Sequence, residues 1–273
     1  MMAQNEFDNE IKYKLYRNVR ELLYPSISKK NISDYKVIVD QDILPVRVFY
    51  PKKISNLNKV IIFVHGDSKV TGCNGEYENI CKKISFNTNH LLIAIDYKLD
   101  SSRKKKVRED ISNTIIYLKR ELERNNIVNS NITLMLESTA ALILKKEYEE
   151  KFPIRTVLFY PVFNIDYNNL DNYPSTQSNY EFQDFLIDNI KSHCMKYLYK
   201  KEIINKIVDV YIPKNTMIFV GNIDPLKDVV LDLENYNNIS IKVVAFAMHG
   251  FLKQNDEELE DDVFSELNKF LEV

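Results

Sequence analysis

The sequence predicts a layered α/β fold built on a largely parallel β-sheet, and three observations carry that prediction. Six short, nearly continuous apolar runs lie at residues 60–64, 91–95, 132–136, 157–160, 217–220 and 241–247. Charged helical stretches at 76–84, 106–124 and 139–149, or longer mixed segments, separate them. Ahead of them, residues 35–39 and 45–49 cluster β-branched side chains around the turn-like Asp40-Gln41-Asp42, the pattern of an antiparallel hairpin. Strands buried on both faces read as unbroken apolar runs, and the helices between them supply the crossovers that parallel pairing needs.

Taken in order, Phe7, Ile11, Leu15, Val19 and Leu22 recur at helical spacing and predict an amphipathic first helix ending near Pro25, which covers the sheet rather than performing chemistry. The hairpin follows and forms one edge of the sheet. Residues 163–210 then break the strand–helix alternation. This segment is rich in Asn and Tyr, with an amphipathic stretch through Phe182, Phe185, Leu186 and Ile190, and its position between two strands predicts a cap over the strand ends. No internal repeat or low-complexity linker divides the chain, so the expectation is one domain over 1–273 with the cap inserted in it.

Composition excludes several function classes. With 37 basic and 39 acidic side chains, and only Arg103-Lys104-Lys105-Lys106 as a basic block, no nucleic-acid partner is expected. Cys73, Cys81 and Cys194 are too few and too scattered for a disulfide framework or a zinc site, which points to a reducing, cytoplasmic setting. Residues 1–10 lack the pattern of a secretory signal, and no apolar stretch approaches the roughly 18 residues that span a bilayer. His90 and His193 have no second ligand at metal spacing, so neither a metal nor a cofactor is expected. Glycine is scarce, 5 in 273 residues, so each one is expected where backbone freedom matters.

In open α/β sheets chemistry gathers at the carboxyl ends of the strands. Four of the runs end in reactive residues: His65-Gly66-Asp67-Ser68, Glu137-Ser138-Thr139-Ala140, Gly221-Asn222-Ile223-Asp224-Pro225-Leu226 and Met248-His249-Gly250-Phe251. A serine hydroxyl is a weak nucleophile at neutral pH. It needs an imidazole to take its proton and a carboxylate to orient that imidazole, and Ser138, His249 and Asp224 supply the three groups. A sharp strand-to-helix turn at Ser138 would lift its Oγ above the sheet, where the backbone N–H groups of Gly66, Asp67 and Thr139 are the expected oxyanion donors. Asp228, four residues on, competes with Asp224 for the acid role and is equally placed to be a helix-start charge.

The set resembles the hormone-sensitive-lipase-like branch of the α/β-hydrolases. That family has a His-Gly-Gly-Gly loop, a Gly-Asp/Glu-Ser-Ala-Gly elbow, an Asp-Pro-Leu acid motif and a terminal His-Gly-Phe. The matching pieces are His65-Gly66, Glu137-Ser138, Asp224-Pro225-Leu226 and His249-Gly250-Phe251. Asp96-Tyr97-Lys98-Leu99, Asp110 and Phe159-Tyr160-Pro161-Val162 are similar to further family motifs, in the right order over about residues 35 to 270. The resemblance implies an α/β-hydrolase fold and a small-molecule ester as substrate, held between sheet and cap. It is also compatible with a homodimer through the last strand and helix.

Both elbow glycines are replaced, by Leu136 and Ala140, and Asp67 and Ser68 stand in place of two loop glycines. Ala140 adds one methyl. Leu136 is bulky at a crowded position, so either the backbone relaxes there or its neighbours make room. Two functions therefore remain open: a working serine esterase acting through an acyl-enzyme, or a hydrolase scaffold of little activity that binds a ligand or partner.

Overall fold

The structure, a computed structural model, describes residues 36–37, 44–53, 57–66, 76–97, 107–153, 155–163, 211–235, 239–253 and 256–272. The expected first helix at 7–23 and the cap beyond residue 163 lie outside them. All six apolar runs are strands: β3 (Val60–Val64), β4 (Leu91–Ile95), β5 (Ile132–Glu137), β6 (Arg155–Phe159), β7 (Thr216–Gly221) and β8 (Ile239–Val244). Every residue of β3 through β7 is buried, whereas β8, at the sheet edge, is half exposed. The hairpin is present as β1 (Lys36–Val37) against β2 (Val46–Phe49), with Lys36 opposite Arg47 and Val37 opposite Val46.

The strand order is β1-β2-β4-β3-β5-β6-β7-β8. The two pairings at the β1 edge are antiparallel and all others are parallel. The chain leaves β3 to one side for β4 and returns past β3 to lay down β5. The carboxyl ends of β3 and β5 therefore flank the point where the strand order reverses, the place where an α/β sheet opens a crevice. His65-Gly66 leaves one side of that point and Ser138 the other.

Helices cover both faces. On one lie α1 (Glu76–Thr88) and α4 (Glu257–Glu272), whose Tyr77, Ile80, Ile84, Val263 and Leu267 pack with Phe63, Met135 and Phe159. On the other, α2 (Val107–Arg124) and α3 (Lys227–Leu231) pack against Ile62, Leu134, Leu136 and Leu158. Alternation along β5, Met135 to one face and Leu134 and Leu136 to the other, follows from the two-residue period of a strand. In α2 the buried Val107, Ile111, Ile115, Leu118 and Leu122 form one stripe, with Glu109 and Asp110 in the first turn and Arg124 in the last, each at the dipole end that favours its charge. The helix stops where Asn126 takes φ +66° and Ile127 N–H bonds back to the Leu122 carbonyl at 3.1 Å. At the start of α4 the Asp256 carboxylate accepts from Leu259 N–H at 3.1 Å, a side-chain cap.

One expected helix forms differently. Residues 139–149 are not a continuous α-helix; a 3-10 turn spans Ser138–Ile143, Leu144 is extended, and a second 3-10 turn covers Lys146–Tyr148. No proline or glycine breaks this stretch. The reason is tertiary: Ala140, Ala141, Leu142, Ile143 and Leu144 are all buried, and five consecutive buried residues exceed the apolar stripe that one helix face presents. Among the described residues no helix is long and apolar enough to cross a membrane.

Gly221, the last residue of β7, is where two site loops meet. A Cβ there would lie 2.1 Å from the Ala247 carbonyl oxygen, so only glycine permits this approach. Substituting Gly221→Ala is expected to lower stability by about 1–3 kcal/mol through the forced shift of the 245–248 turn. Urea unfolding reads this as a lower midpoint at unchanged slope, and an unchanged midpoint would show that the turn is not held by this contact.

Candidate active site

Ser138 is the first residue after β5, and its backbone adopts φ +50°, a left-handed conformation that a non-glycine residue enters only under constraint. The strand before it stays in register through Glu137 opposite Phe159, so the turn is abrupt. Two neighbours hold it. The Ser138 carbonyl accepts from Val162 N–H at 3.1 Å, and Gly66 passes so close on the other side that a Cβ there would stand 3.0 Å from the Ser138 Cβ. Leu136, at the place where a small residue was expected, is fully buried in a cluster with Val64, Leu158, Ala140 and Ala141. The backbone does not relax at Ser138, and Leu136 is accommodated within this core.

Asp224 and His249 come from neighbouring loops that are stitched together. Asn222 N–H donates to Val244 O at 2.9 Å, and Ile223 N–H to Ala247 O at 3.0 Å. Gly250 takes φ +83° just after the histidine, reversing the chain into Phe251. Asp224 is completely buried, and both its carboxylate oxygens are used: Oδ1 accepts from Leu226 N–H at 2.8 Å, and Oδ2 faces His249 Nδ1 at 2.9 Å. With Nδ1 donating to Asp224, Nε2 carries the lone pair, and it lies 3.0 Å from Ser138 Oγ. Serine, histidine and aspartate thus form one hydrogen-bonded chain. Asp228 is not part of it; it sits in the first turn of α3 with Lys227 Nζ 3.8 Å away.

Burial is the largest single influence on the His249 imidazole and disfavours its charged form. The charge and hydrogen bond of Asp224, with the charge of Glu137, together outweigh it and raise the imidazole above its ordinary value of 6.5, while Lys253 opposes them. An adjacent residue that the sequence placed in the Phe159-Tyr160-Pro161-Val162 segment, without a role at the site, is Tyr160. Its ring tilts against the His249 imidazole at 4.9 Å and meets Phe251 edge-on at 4.9 Å, and its own φ is +36°. The Tyr160 hydroxyl is buried near the Glu137 carboxylate; burial, and then the Glu137 charge, push the phenol well above its usual range. The signal for it was an aromatic residue immediately after a buried strand, on the same rim as the serine.

Of the expected oxyanion donors, Thr139 is the second residue of the 3-10 turn that begins at Ser138, where the first N–H groups have no partner within the turn. Asp67 lies outside the described residues. Gly66 is placed against the elbow, but its N–H donates to Glu137 Oε2. That amide is committed to a carboxylate rather than offered to the space above Ser138. The turn it belongs to is firmly held: Tyr97 Oη donates to the carbonyls of His65 and Gly66, both at 2.7 Å, and the His65 ring lies between Tyr97 at 4.2 Å and Tyr77 at 4.7 Å. Burial lowers the basicity of His65, and its Nδ1 donates to the Gly66 carbonyl at 2.7 Å. His90, at the far end of β4, is lowered to about 4 by burial and bonds the Thr88 carbonyl, a structural role. His193 lies outside the described residues.

Comparison with solved structures shows the same fold in several esterases. An arylesterase aligns with TM-score 0.69 over 93% of this chain and 90% of its own, at 18% identity. An esterase of the hyperthermophilic archaeon Pyrobaculum calidifontis aligns with TM-score 0.65 over 84% and 80%, at 15% identity. The Francisella virulence factor BioJ aligns with TM-score 0.62 over 86% and 83%, at 18% identity. By sequence alone, no family model matches the chain. No curated protein is significantly similar to it either. The chain has the α/β-hydrolase fold, and its structural neighbours include esterases.

The imidazole value is open to direct test. Because the folded value is raised, the ionised pair stabilises the fold below pH 6.5, and that contribution fades as pH rises through the raised value. Asp224→Asn removes the charge that raises it and leaves the burial that lowers it, so the His249 imidazole resonance is expected to titrate at lower pH than in the wild type. An unmoved titration would mean that Asp224 does not govern this histidine.

Proposed function

We propose that the chain is a serine hydrolase of carboxylic esters, working through an acyl-enzyme on Ser138. The observation that carries this reading is the hydrogen-bonded chain Ser138–His249–Asp224, mounted on a serine held at φ +50°. In this reading Ser138 Oγ attacks the ester carbonyl carbon while its proton passes to His249 Nε2. The imidazolium that forms keeps its Nδ1–H on Asp224, whose buried charge offsets the new positive charge. The carbonyl π electrons move onto oxygen, where the Thr139 amide, with the amide of Asp67, is the proposed donor set. Collapse of the tetrahedral intermediate expels the alcohol, which takes the proton from His249. Water then repeats the sequence: His249 removes its proton, hydroxide adds to the acyl carbon, and Ser138 leaves with the proton restored.

The esterases among the structural neighbours support an ester as substrate, the family resemblance implies an uncharged one of modest size, and the three scattered cysteines support a cytoplasmic setting. A second reading, a scaffold that binds a ligand without turning it over, is favoured by one observation: the Gly66 amide is given to Glu137, leaving one fewer oxyanion donor.

Hydrolysis of p-nitrophenyl acetate and butyrate by the purified chain separates the two. The esterase reading expects Ser138→Ala to lower kcat by at least about a thousandfold with the fold intact by circular dichroism. Equal rates for wild type and variant on both esters would select the binding scaffold.

A further inference from the structure

Glu137 is the least explained charge in the protein. It ends β5, is 2% exposed, and sits immediately before Ser138, yet the proton relay does not use it. A carboxylate in such a place is expensive unless its oxygens are met by donors. Here Oε2 accepts the Gly66 N–H and also the Tyr77 hydroxyl at 3.0 Å. Two donors converging on one oxygen make Oε2 an acceptor that carries no proton of its own. The approach depends on glycine: a Cβ at Gly66 would stand 2.5 Å from Glu137 Oε2.

From this geometry we infer that Glu137 is a positioning residue for the proposed reaction: it ties the His65-Gly66 turn to the elbow and, as the residue before Ser138, sets a second carboxylate on the nucleophile's side of the relay. The inference deepens the esterase reading and rests on it for its kinetic consequences. Two things follow from the arrangement. First, the His65-Gly66 turn is tied to the elbow by the side chain that precedes the nucleophile, so the Gly66 amide is an anchor rather than an oxyanion donor. Second, His249 is flanked by two carboxylates with separate tasks. Asp224 holds Nδ1 by a direct bond, whereas Glu137 acts at a distance, with the Tyr160 ring against the imidazole and the Tyr160 hydroxyl buried beside Glu137. The other charged or titratable groups around this cluster are Lys253, which lies over the Tyr77 ring at 4.8 Å and opposes proton uptake by His249, and His65 and Asp96 on the side of the turn. Burial keeps His65 neutral at working pH, so it does not cancel the Glu137 charge.

Two substitutions separate reach from charge. Glu137→Gln keeps an acceptor oxygen at the same distance and removes the charge; Glu137→Asp keeps the charge and withdraws it from Gly66. The readouts are NMR titration of the His249 imidazole, assigned by its loss in His249→Asn among the four histidines, and hydrogen exchange of the Gly66 amide. Neither requires turnover, so a wild type with no esterase activity would sink the function reading while leaving this one decidable.

The expected result for Glu137→Gln is a His249 titration shifted to lower pH. The acid limb of kcat/KM should shift with it, and KM should stay unchanged. For Glu137→Asp the titration stays near wild type, the Gly66 amide exchanges faster, and kcat falls by between about tenfold and a hundredfold. A Gln variant whose His249 titrates as in the wild type overturns the charge role. An Asp variant whose Gly66 amide keeps its wild-type protection overturns the anchoring role, and either result can be read if the other variant fails to fold.

Discussion

A serine forced to φ +50° at the end of a fully buried strand is a strained residue, worth about 1–3 kcal/mol against the fold, and the surroundings have to keep it there. Several of the restraints are close approaches of the backbone. Gly66 presses on the Cβ side, Val162 N–H holds the carbonyl, and β5 is locked between β3 and β6 by parallel ladders that run to its last residues. Release of any of these would let the turn relax toward an ordinary conformation and swing Oγ away from His249. The site is therefore a property of the sheet centre.

The same economy of backbone contact appears on the far side of the site. Gly221 lets the Ala247 carbonyl approach at a distance that no side chain would permit, and the loops of Asp224 and His249 are joined there before their side chains meet. Two of the protein's five glycines thus stand at the two close approaches that bring the triad together, and a third, Gly250, turns the chain after the histidine. Electrostatics completes what packing begins. An imidazole that burial alone would keep neutral is made more basic by a carboxylate in contact and another nearby, which suits a group that must gain and return a proton.

Much of this was legible in the sequence. The apolar runs at 60–64, 91–95 and 132–136 mark buried parallel strands because both faces are covered, and the chemistry-bearing residues follow the strands directly. Asp224 was separable from Asp228 by motif and position, and the structure brings Asp224 to the imidazole. What sequence did not disclose is set by tertiary packing. Nothing local ends a helix at Ile143; the need to bury five consecutive residues does. Leu136 reads as a steric conflict, yet it is fully buried in the core beneath the turn. The Gly66 amide reads as a free donor, because the carboxylate that captures it lies 71 positions away in the chain. Tyr160 reads as the end of a strand, and only the arrangement of β6 beside β5 and β7 sets its ring against His249.

The account stands on the nucleophilicity of one hydroxyl. Exposure of the folded protein to a fluorophosphonate, followed by mass spectrometry of its peptides, reads that property without reference to any substrate. A single adduct on the peptide bearing Ser138, lost in His249→Ala, is the result expected of a serine activated by the histidine 3.0 Å from it. A folded protein whose Ser138 stays unmodified under conditions that label a known serine esterase would contradict it.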